Sequence, residues 1–486
     1  MKAYFKRLAV LVSLMLANTA VITATVWAEA TAHEKISQLV ERYSDHNVFQ
    51  GAVLVARGDD IIYSVGAGLA NREWAMPNGP DVRYRLASLT KGFSAALILK
   101  LVDEGKLSLS DTLQHHMPEF QGEKADIITI EQLLRHTSGM QHTTGLPGWF
   151  TGAFRREISD KDYIAEIAKL PLLSPPGERY SYSNLDYFLL GKIAERLTGQ
   201  SYGEALSTRI FTPLGMEDTG VDTTTTLLAK RASGYVWAAG GGFRNQGYNN
   251  MMVFGAGAAL YSTTEDMLRW FRGLAGGKIL SPESMALMFE KDNAIGWRVQ
   301  EWNLPDGQSL STTNYDGQID GFSSFLTHFT ESDITVILLG NIGTGSSIKA
   351  QMTVELKQAL EGEGLSKLPL SFHLTKALTE GRLADGIEAY LAAPGMFSAD
   401  ENRLEALGNE IGWAQMPQHS ISMRLLAVKL FPQSIRAYVR LAETQVRTGN
   451  REAGLAAYTD ALALAENASD ADMVSYLSKK IAGLTN

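Results

Sequence analysis

The sequence has no cysteine among its 486 residues. This absence excludes disulfides, thiolate metal sites, cysteine nucleophiles and an N-terminal lipidated cysteine. Positive charge is also scarce, because 44 Lys and Arg stand against 53 Asp and Glu, for a net charge of −9. A nucleic-acid-binding protein needs a basic excess or a basic patch, so we expect no nucleic-acid partner.

The rest of the composition is that of a globular protein, with 45% hydrophobic and 20% charged residues, 45 Gly and 14 Pro. These proportions exclude a disordered chain, a collagen and a polytopic membrane protein. A typical domain has about 150 residues, so the length of the chain predicts two or three domains.

The N-terminal segment 1–28 has the pattern of a secretory signal peptide. A basic head, Lys2 to Arg7, precedes an apolar run from Leu8 to Leu16, and Val26-Trp27-Ala28 fits the small-residue rule for cleavage after Ala28. The sequence therefore predicts export to a periplasm or to the medium, with no stable membrane insertion after cleavage. The alternative is an uncleaved anchor, although Asn18 and several threonines weaken the second half of the apolar stretch.

Strand and helix patterns along residues 45–360 predict an α+β domain. Two apolar runs surround Gly58-Asp59-Asp60 and indicate a β-hairpin. A long helical pattern runs from Ser88 to Gly105, and two strand patterns, 323–328 and 334–339, follow near the end of the region. Since strands occupy both ends of the region with helices between them, the sheet is expected to combine distant parts of the chain.

The pattern changes after a predicted linker, 361–364, because strand signals end and Ala/Leu-rich helical signals take over. The tail matches itself at an offset of 34 residues, the period of tetratricopeptide units, and resembles that family over 434–467. We therefore predict one domain at 29–361 and an all-α helical-repeat domain at 366–486, with a last capping helix. The alternative for the tail is a generic amphipathic helical bundle.

The strongest local signal for chemistry is Ser88-Leu-Thr-Lys91, at the start of a predicted helix. Residues three apart on a helix share a face, so the Ser88 hydroxyl and the Lys91 amine can touch. A hydroxyl becomes a nucleophile when a base takes its proton, and lysine can be that base when burial and other positive groups lower its pKa. The helix N-terminus also offers a backbone N–H for an oxyanion. The alternative is an ordinary helix start with a surface lysine.

A second candidate segment is Tyr182-Ser-Asn184. A phenol can shuttle protons when a nearby cation holds its pKa down, and an amide can fix both a lysine amine and a substrate carbonyl. The structural alternative is that Asn184 caps the following helix while Tyr182 fills the core.

The third candidate segment, Tyr315 to Phe322, looks like an edge strand and a turn with two glycines. Gly317 permits a close backbone approach to a ligand, and the next amide, that of Gln318, is a candidate oxyanion donor. The alternative is a plain glycine turn between two strands.

Together the three segments resemble the serine β-lactamase-like superfamily, specifically its class C β-lactamase, DD-peptidase and esterase branch, over about residues 35–360. The resemblance implies an antiparallel sheet flanked by helices plus an all-helical cluster, the β-lactamase/transpeptidase-like fold. Further segments stand in the order of that family: Gly51–Val55, Gly68–Arg72, Leu133–Gly139, Pro213–Met216, Gly255–Thr263 and Gly296–Trp297.

The same resemblance implies a role for each candidate residue. Ser88 is the implied acylated nucleophile, Lys91 its partner base, Tyr182 the proton shuttle and Asn184 the residue that positions the substrate. The backbone amides of Ser88 and Gln318 are the implied oxyanion hole. Neither a metal nor a cofactor is implied.

Position 315 departs from the pattern of that family, in which a lysine or histidine usually receives the substrate carboxylate. Tyr315 can donate a hydrogen bond but carries no charge at neutral pH, and a charge-assisted bond is about twice as strong as a neutral one. We therefore expect carboxylate-bearing β-lactams to be poor substrates. Arg298, which follows Gly296-Trp297, is an alternative source of the missing charge.

The four intact side chains favour an exported serine hydrolase that forms an acyl-enzyme at Ser88 on an ester, amide or peptide, an esterase or peptidase rather than a true β-lactamase. One alternative is a penicillin-recognising sensor that is acylated without efficient turnover, and another is a scaffold whose helical repeats are the functional part. Helical arrays present concave surfaces, so the tail is expected either to bind a protein partner or to pack on the hydrolase domain and shape its cleft.

Overall fold

The computed structural model of the chain describes residues 31–485 except 153, 154, 224, 294, 305 and 306. The predicted signal peptide, 1–28, lies outside the described residues. Within them, no helix combines the length and the apolar character that crossing a membrane requires.

The strands are, in chain order, β1 (Gly51–Arg57), β2 (Asp60–Ala67), β3 (Leu69–Asn71), β4 (Met76–Pro77), β5 (Tyr84–Arg85), β6 (Gly220–Val221), β7 (Tyr235–Trp237), β8 (Phe243–Asn245), β9 (Leu260–Ser262), β10 (Arg298–Asn303), β11 (Ser309–Ile319), β12 (Phe322–Phe329) and β13 (Ile334–Gly340). The helices up to residue 360 are α1 (31–45), α2 (Thr90–Asp103), α3 (Leu113–His116), α4 (Ile130–Leu134), α5 (Asp160–Ile167), α6 (Asn184–Thr198), α7 (Tyr202–Leu206), α8 (Thr212–Leu214), α9 (Gly255–Ala258), α10 (Thr264–Ala275), α11 (Pro282–Met288) and α12 (Ser346–Leu360). The helices that follow, called here the helical tail, are α13 (Leu370–Thr379), α14 (Leu383–Ala392), α15 (Glu401–Trp413), α16 (Pro417–Leu430), α17 (Ile435–Arg447), α18 (Arg451–Asn467) and α19 (Ala471–Thr485).

A six-stranded antiparallel sheet, in the order β10-β11-β12-β13-β1-β2, forms the centre of the fold. The hairpin β1–β2 joins the rest of the sheet through β13, since Gly51 pairs with Gly340 and Arg57 pairs with Ile334. The predicted assembly of one sheet from distant parts of the chain is therefore confirmed.

The central strands are buried on both faces because each face packs against its own core. Along β1, Ala52 and Leu54 lie in the core that includes α2 and α6, whereas Val53 and Val55 lie in the core that includes α1 and α12. Successive side chains of a strand point to opposite faces, so this alternation gives one face to each core. The structure thus confirms the predicted antiparallel sheet flanked by helices, with a helical cluster on one side.

The strand that carries Tyr315 lies at an edge of the sheet only from Tyr315 onward, as predicted for that segment, and has neighbours on both sides before it. It is β11, which pairs with β12 over Thr312–Ile319 and with β10 as far as Asn314. The edge strand on this side of the sheet is β10, whose first residue, Arg298, is the partner of Asn314. Among the described strands, β11 therefore has a neighbour on one side only beyond Asn314, which leaves the segment from Tyr315 onward open towards the start of α2.

The helical tail consists of consecutive antiparallel pairs, α13 with α14, α15 with α16 and α17 with α18, followed by α19. The predicted all-α character of the tail is confirmed. Its tetratricopeptide identity and the domain boundaries 29–361 and 366–486 stay predictions.

The helical tail packs on the α+β part of the chain. The Phe372 ring lies 4.6 Å from the Tyr43 ring, edge to face. Asn47 Nδ2 donates to Thr379 Oγ1 at 3.0 Å. Of the two expected roles of the tail, the structure therefore favours packing on the α+β part over presentation to a partner.

We expect Phe372→Ala to lower the free energy of unfolding by about 3–5 kcal/mol, because it leaves a cavity where a ring that is 2% exposed joins α13 to α1. Met396→Ala is the matched control in the helical tail, since Met396 is 67% exposed and its loss should change stability by less than about 0.5 kcal/mol. Denaturant unfolding followed by circular dichroism measures both. Equal effects of the two substitutions would argue against this docking contact.

Candidate active site

Ser88 lies in a tightly constrained turn between β5 and α2. Ala87 has a φ of 48°, in the left-handed region that residues other than glycine rarely adopt, and Ala87–Leu89 form a 3₁₀ turn. The preceding Leu86 anchors the turn, because its carbonyl accepts from Ser324 Oγ at 2.5 Å. The turn leaves Ser88 partly exposed while its neighbours Ala87 and Leu89 are buried.

Lys91, one helical turn after Ser88, has no exposed surface. Its Nζ lies 3.4 Å from Ser88 Oγ, 2.5 Å from Asn184 Oδ1 and 2.9 Å from Gly257 O. The alternative of a surface lysine is therefore wrong, and the structure brings together the serine, the lysine and the asparagine that the sequence singled out.

The partners of Lys91 Nζ decide what each of its protonation states can do. A neutral amine has two hydrogens, and the two oxygens Asn184 Oδ1 and Gly257 O accept them. The lone pair then faces Ser88 Oγ and can accept its proton. In the ammonium form a third hydrogen takes that place and donates to Ser88 Oγ. The two fixed acceptors thus direct the remaining site on Nζ towards the Ser88 hydroxyl. This site is the lone pair in the amine and the third hydrogen in the ammonium.

Burial lowers the pKa of Lys91 to about 7, against the opposing effects of Asp186 and Asp316. The expectation that burial shifts this pKa is in line with the structure. The expectation that other positive groups contribute is wrong, since the charged groups that act on Lys91 are these two carboxylates, and both raise its pKa. Near neutral pH the base form and the acid form of Lys91 are therefore both populated.

Tyr182 lies next to both Ser88 and Lys91. Its Oη lies 2.7 Å from Ser88 Oγ, and Lys91 Nζ lies 4.7 Å from the centre of its ring. The expected lowering of its pKa by a cation is wrong, because burial raises the pKa of Tyr182 and the hydrogen bond with Ser88 opposes only part of that shift. Tyr182 is therefore a neutral phenol, which can relay a proton by giving its own and taking another.

Ser183, rather than Asn184, caps helix α6, so the suggested capping role of Asn184 is wrong. Ser183 Oγ accepts from the backbone N–H of Leu185 at 3.1 Å and from that of Asp186 at 3.3 Å. Asn184 is the first residue of the helix, and its side chain bonds Lys91 instead. Because Oδ1 is used by the lysine, Nδ2 is the part of this amide that a substrate carbonyl can use.

Two buried polar residues support the Tyr182–Asn184 segment and were not among the predicted site residues. His136 Nδ1 accepts from Ser183 N at 3.1 Å, and its ring lies 4.6 Å from the ring of Tyr182. Asp186 has no exposed surface and accepts from a serine hydroxyl at 2.7 Å. Asp186 stands three residues after Ser183, a spacing typical of a helix start, whereas no spacing in the sequence places His136 beside Tyr182.

β11 brings Gly317 against the turn that carries Ser88. A Cβ at Gly317 would lie 2.2 Å from Leu86 O and 2.8 Å from Ser88 N, so only glycine fits there. The close approach that the sequence assigned to a ligand is thus made by the backbone of the protein itself. Gln318 follows Gly317, so the backbone segments with both predicted oxyanion donors lie side by side.

Tyr315 is buried, and burial raises its pKa well above the usual range, so it brings no charge to the site. The Arg298 guanidinium lies 4.8 Å from the centre of the Tyr315 ring. Arg298 Nη1 also pairs with Asp316 Oδ1 at 2.5 Å, with 46% of the arginine side chain exposed. A cation therefore stands beside Tyr315, but a carboxylate already accompanies it.

Comparison with known proteins agrees with this geometry. The Beta-lactamase family model matches residues 36–360, which leaves out the helical tail. Over 333 residues the chain is 28% identical to penicillin-binding protein 4* of Bacillus subtilis, a match that covers 63% of this chain and 71% of that protein.

Two solved structures have the same fold as the α+β part. A penicillin-binding protein from Bacillus halodurans matches with a TM-score of 0.58 and 25% identity, covering 65% of this chain and 99% of that chain. A D-amino acid amidase from Ochrobactrum anthropi, complexed with D-phenylalanine, matches with a TM-score of 0.58 and 22% identity, covering 67% and 99% of the two chains. At this lower identity the likeness concerns the fold alone.

We expect Lys91 Nζ to titrate near neutral pH. Because burial lowers its pKa to about 7, Lys91 is an ammonium below this pH and an amine above it, whereas an exposed lysine titrates at about 10.4. Nitrogen-15 NMR of the lysine side chains measures the midpoint, and Lys91→Gln assigns the resonance by removing it. A midpoint close to that of the exposed lysines would contradict the enclosure of Lys91 described above.

Proposed function

This chain belongs to the beta-lactamase family, and from that premise we propose that it is a serine hydrolase that forms an acyl-enzyme at Ser88. In this proposal Lys91 is the base, Tyr182 the proton relay and Asn184 the residue that positions the substrate. The amides of Ser88 and Gln318 form the oxyanion hole. The observation that carries the proposal is the position of Lys91 Nζ, held by two fixed acceptors and 3.4 Å from Ser88 Oγ.

In the first half of the reaction, neutral Lys91 takes the Ser88 proton, either directly or through Tyr182, which lies 2.7 Å from Ser88 Oγ. Ser88 Oγ bonds to the substrate carbonyl carbon, and the two backbone amides bind the resulting oxyanion. When the carbonyl re-forms, the bond to the leaving group breaks. The Tyr182 phenol protonates the departing amine or alcohol and regains a proton from the Lys91 ammonium.

In the second half, water attacks the acyl carbon and Lys91, now neutral again, accepts the water proton. Collapse of this second oxyanion breaks the bond to Ser88 Oγ, which takes back the proton that Lys91 holds. The products are the free acid and the restored enzyme. The raised pKa of Tyr182 supports a relay role, because the phenol keeps a proton available in both halves.

The proposed substrates are esters, amides or peptides that need no positive charge at position 315. Tyr315 is neutral, and Arg298 beside it is paired with Asp316. The similar proteins include a penicillin-binding protein and a D-amino acid amidase, so the proposal includes D-amino-acid amides and peptides among the candidates. An esterase or peptidase activity is thus proposed ahead of true β-lactamase activity.

The proposal also places this hydrolase outside the cytoplasm. Its supports are the pattern of the segment 1–28, with cleavage after Ala28, and the family's penicillin-binding relative. We further propose 29–361 as the hydrolase domain and 366–486 as the helical-repeat domain, supported by the end of the family match at residue 360 and by the change to helices alone from α12 onward.

A fluorophosphonate probe is expected to modify Ser88 in the full chain, and peptide mass spectrometry should show the adduct in the wild type and none at this position in Ser88→Ala. The labelling rate should rise as the pH rises through about 7, because the amine form of Lys91 is the base. Lys91→Met should lower the rate by roughly 10²–10⁴-fold, the usual contribution of a general base.

Lys100→Met is the control for this experiment, since Lys100 lies on the same helix α2 but is partly exposed. It should label at the wild-type rate. An unlabelled Ser88 in the wild type would contradict the proposed function. A Ser88 adduct that forms with ester or amide substrates but persists for hours would instead support the sensor.

The substrate preference is tested with a D-alanyl-D-alanine peptide and the same peptide with a C-terminal amide, together with p-nitrophenyl esters and nitrocefin. We expect kcat/KM for the amide-terminated peptide to equal or exceed that for the acid, and nitrocefin to be turned over slowly, because Tyr315 offers no charge. Preference for the acid that disappears in Arg298→Gln would show that Arg298 supplies the charge, against this expectation.

A further inference from the structure

A second buried lysine lies under the site and has no part in the reaction described above. Lys349, on α12, has no exposed surface, and its Nζ lies 3.3 Å from Gly317 O as a hydrogen-bond donor. A buried ammonium is costly unless partners compensate it, so its position beside one backbone carbonyl calls for an explanation.

The carbonyl of Gly317 and the N–H of Gln318 belong to the same peptide unit. No cis peptide occurs among the described residues, so this unit is trans and its C=O and N–H point in opposite directions. A cation at the carbonyl end withdraws electron density from the unit and makes the N–H at the other end a stronger donor, as happens along chains of hydrogen bonds. Lys349 thus acts on Gln318 N from the side of the strand away from the bound oxyanion.

Charged groups from three other elements surround Lys349. Asp316 of β11 attracts it, while Arg298 of β10 and the Ser346 hydroxyl of α12 bond the same carboxylate. The second attracting group is Glu410 of α15, which belongs to the helical tail.

Glu410 is placed to act on both Lys349 and the Gln318 side chain. The charge of Lys349 and the Gln318 side chain both lower the pKa of the Glu410 carboxyl group, against the larger effect of burial. It also lies close to the first turn of α12, since a Cβ at Gly345 would meet Glu410 Oε1 at 2.0 Å. Burial lowers the pKa of Lys349 to about 8 and raises that of Glu410 to about 7, and each of these two charges, with Asp316 acting on Lys349 as well, favours the charged form of the other.

We propose that Lys349 is a positioning residue that fixes and polarises the 317–318 peptide as an oxyanion donor, and that Glu410 holds Lys349 in its charged form, so that the helical tail completes the hydrolase site. This inference rests on the proposed function, because it assigns the Gln318 amide to the oxyanion. It also connects the packing of the helical tail to the chemistry, since the tail supplies a second negative charge near Lys349 in addition to that of Asp316.

The test is stopped-flow acylation of the full chain by a p-nitrophenyl ester, at a pH between the two pKa values, for Lys349→Met, Glu410→Gln and the double variant. Removal of a whole oxyanion donor typically costs 10²–10³-fold, so loss of its polarising partner should lower the acylation rate constant by about 10-fold. The substrate dissociation constant should stay within about 2-fold of the wild type, because the oxyanion forms only after binding.

The double variant makes the test independent of a general loss of stability. It removes one positive and one negative buried charge together, so the net charge around Asp316 stays the same. If Glu410 acts through Lys349, the double variant should acylate no more slowly than Lys349→Met alone. Multiplied effects of the two substitutions would overturn the proposed route through Lys349. Lys349→Arg, which keeps the charge, should retain most of the rate, and a loss equal to that of Lys349→Met would also overturn the proposal.

Glu355→Gln is the matched control, because Glu355 pairs with Arg403 at 2.6 Å and so joins the same two helices, α12 and α15, away from the 317–318 peptide. It should acylate at the wild-type rate. An equal loss in Glu355→Gln and Glu410→Gln would mean that any weakening of the α12–α15 contact lowers the rate, and would overturn the specific role of Glu410. Unchanged rates in all variants, with Ser88 labelled normally, would refute this inference alone, whereas an unlabelled Ser88 in the wild type would refute the proposed function.

Discussion

The 3.4 Å contact between Lys91 Nζ and Ser88 Oγ depends on enclosing an amine and fixing two of its hydrogen bonds at the same time. The two acceptors come from different elements, Asn184 from α6 and the Gly257 carbonyl from α9. α9 can approach because it is built from small residues: a Cβ at Gly257 would lie 3.2 Å from Asn184 O. The direction of the lone pair of Lys91 is therefore set by the packing of three helices, α2, α6 and α9.

The sheet supplies the other half of the site through a single strand. β11 carries Gly317, which fits against the Ser88 turn only because it has no side chain, and Gln318, whose amide is the proposed second donor. β11 also carries Tyr315 and Asp316, next to Arg298. Since β10 stops at the level of Asn314, the segment from Tyr315 onward is open where a substrate would lie along it.

Local patterns in the sequence were sufficient to predict several helices and strands and the residues that the site brings together. The hairpin of β1 and β2, the long helix α2 and the contact of Ser88 with Lys91 follow from spacing and periodicity that act over a few residues. The errors concern quantities that depend on the whole fold. That Tyr182 has a raised pKa reflects its burial, and burial is decided by chain segments that the motif does not contain.

Two other predictions were wrong because the local sequence was compatible with more than one structure. Ser183 and Asn184 are both favourable cap residues, and only the contact of Asn184 with Lys91 decides that Ser183 takes the cap. Likewise, a glycine in a strand indicates close backbone approach without saying to what, and here Gly317 approaches Leu86 and Ser88 rather than a ligand. The packing of the helical tail had no signal of this kind, since Glu410 is an ordinary glutamate in a helical pattern.

The charges of the two buried lysines are connected through Asp316. This carboxylate raises the pKa of Lys91 and also that of Lys349, and the positive charges of Lys349 and Arg298 in turn lower its own pKa. Asp316 therefore stays ionised in spite of its burial, and its charge offsets part of the effect of burial on Lys91. Asp186 contributes the larger share of this offset, and together the two carboxylates leave both the ammonium and the amine form of Lys91 available near neutral pH. Asp316 thus helps to keep Lys91 able both to accept a proton and to return it, in addition to any effect on the oxyanion.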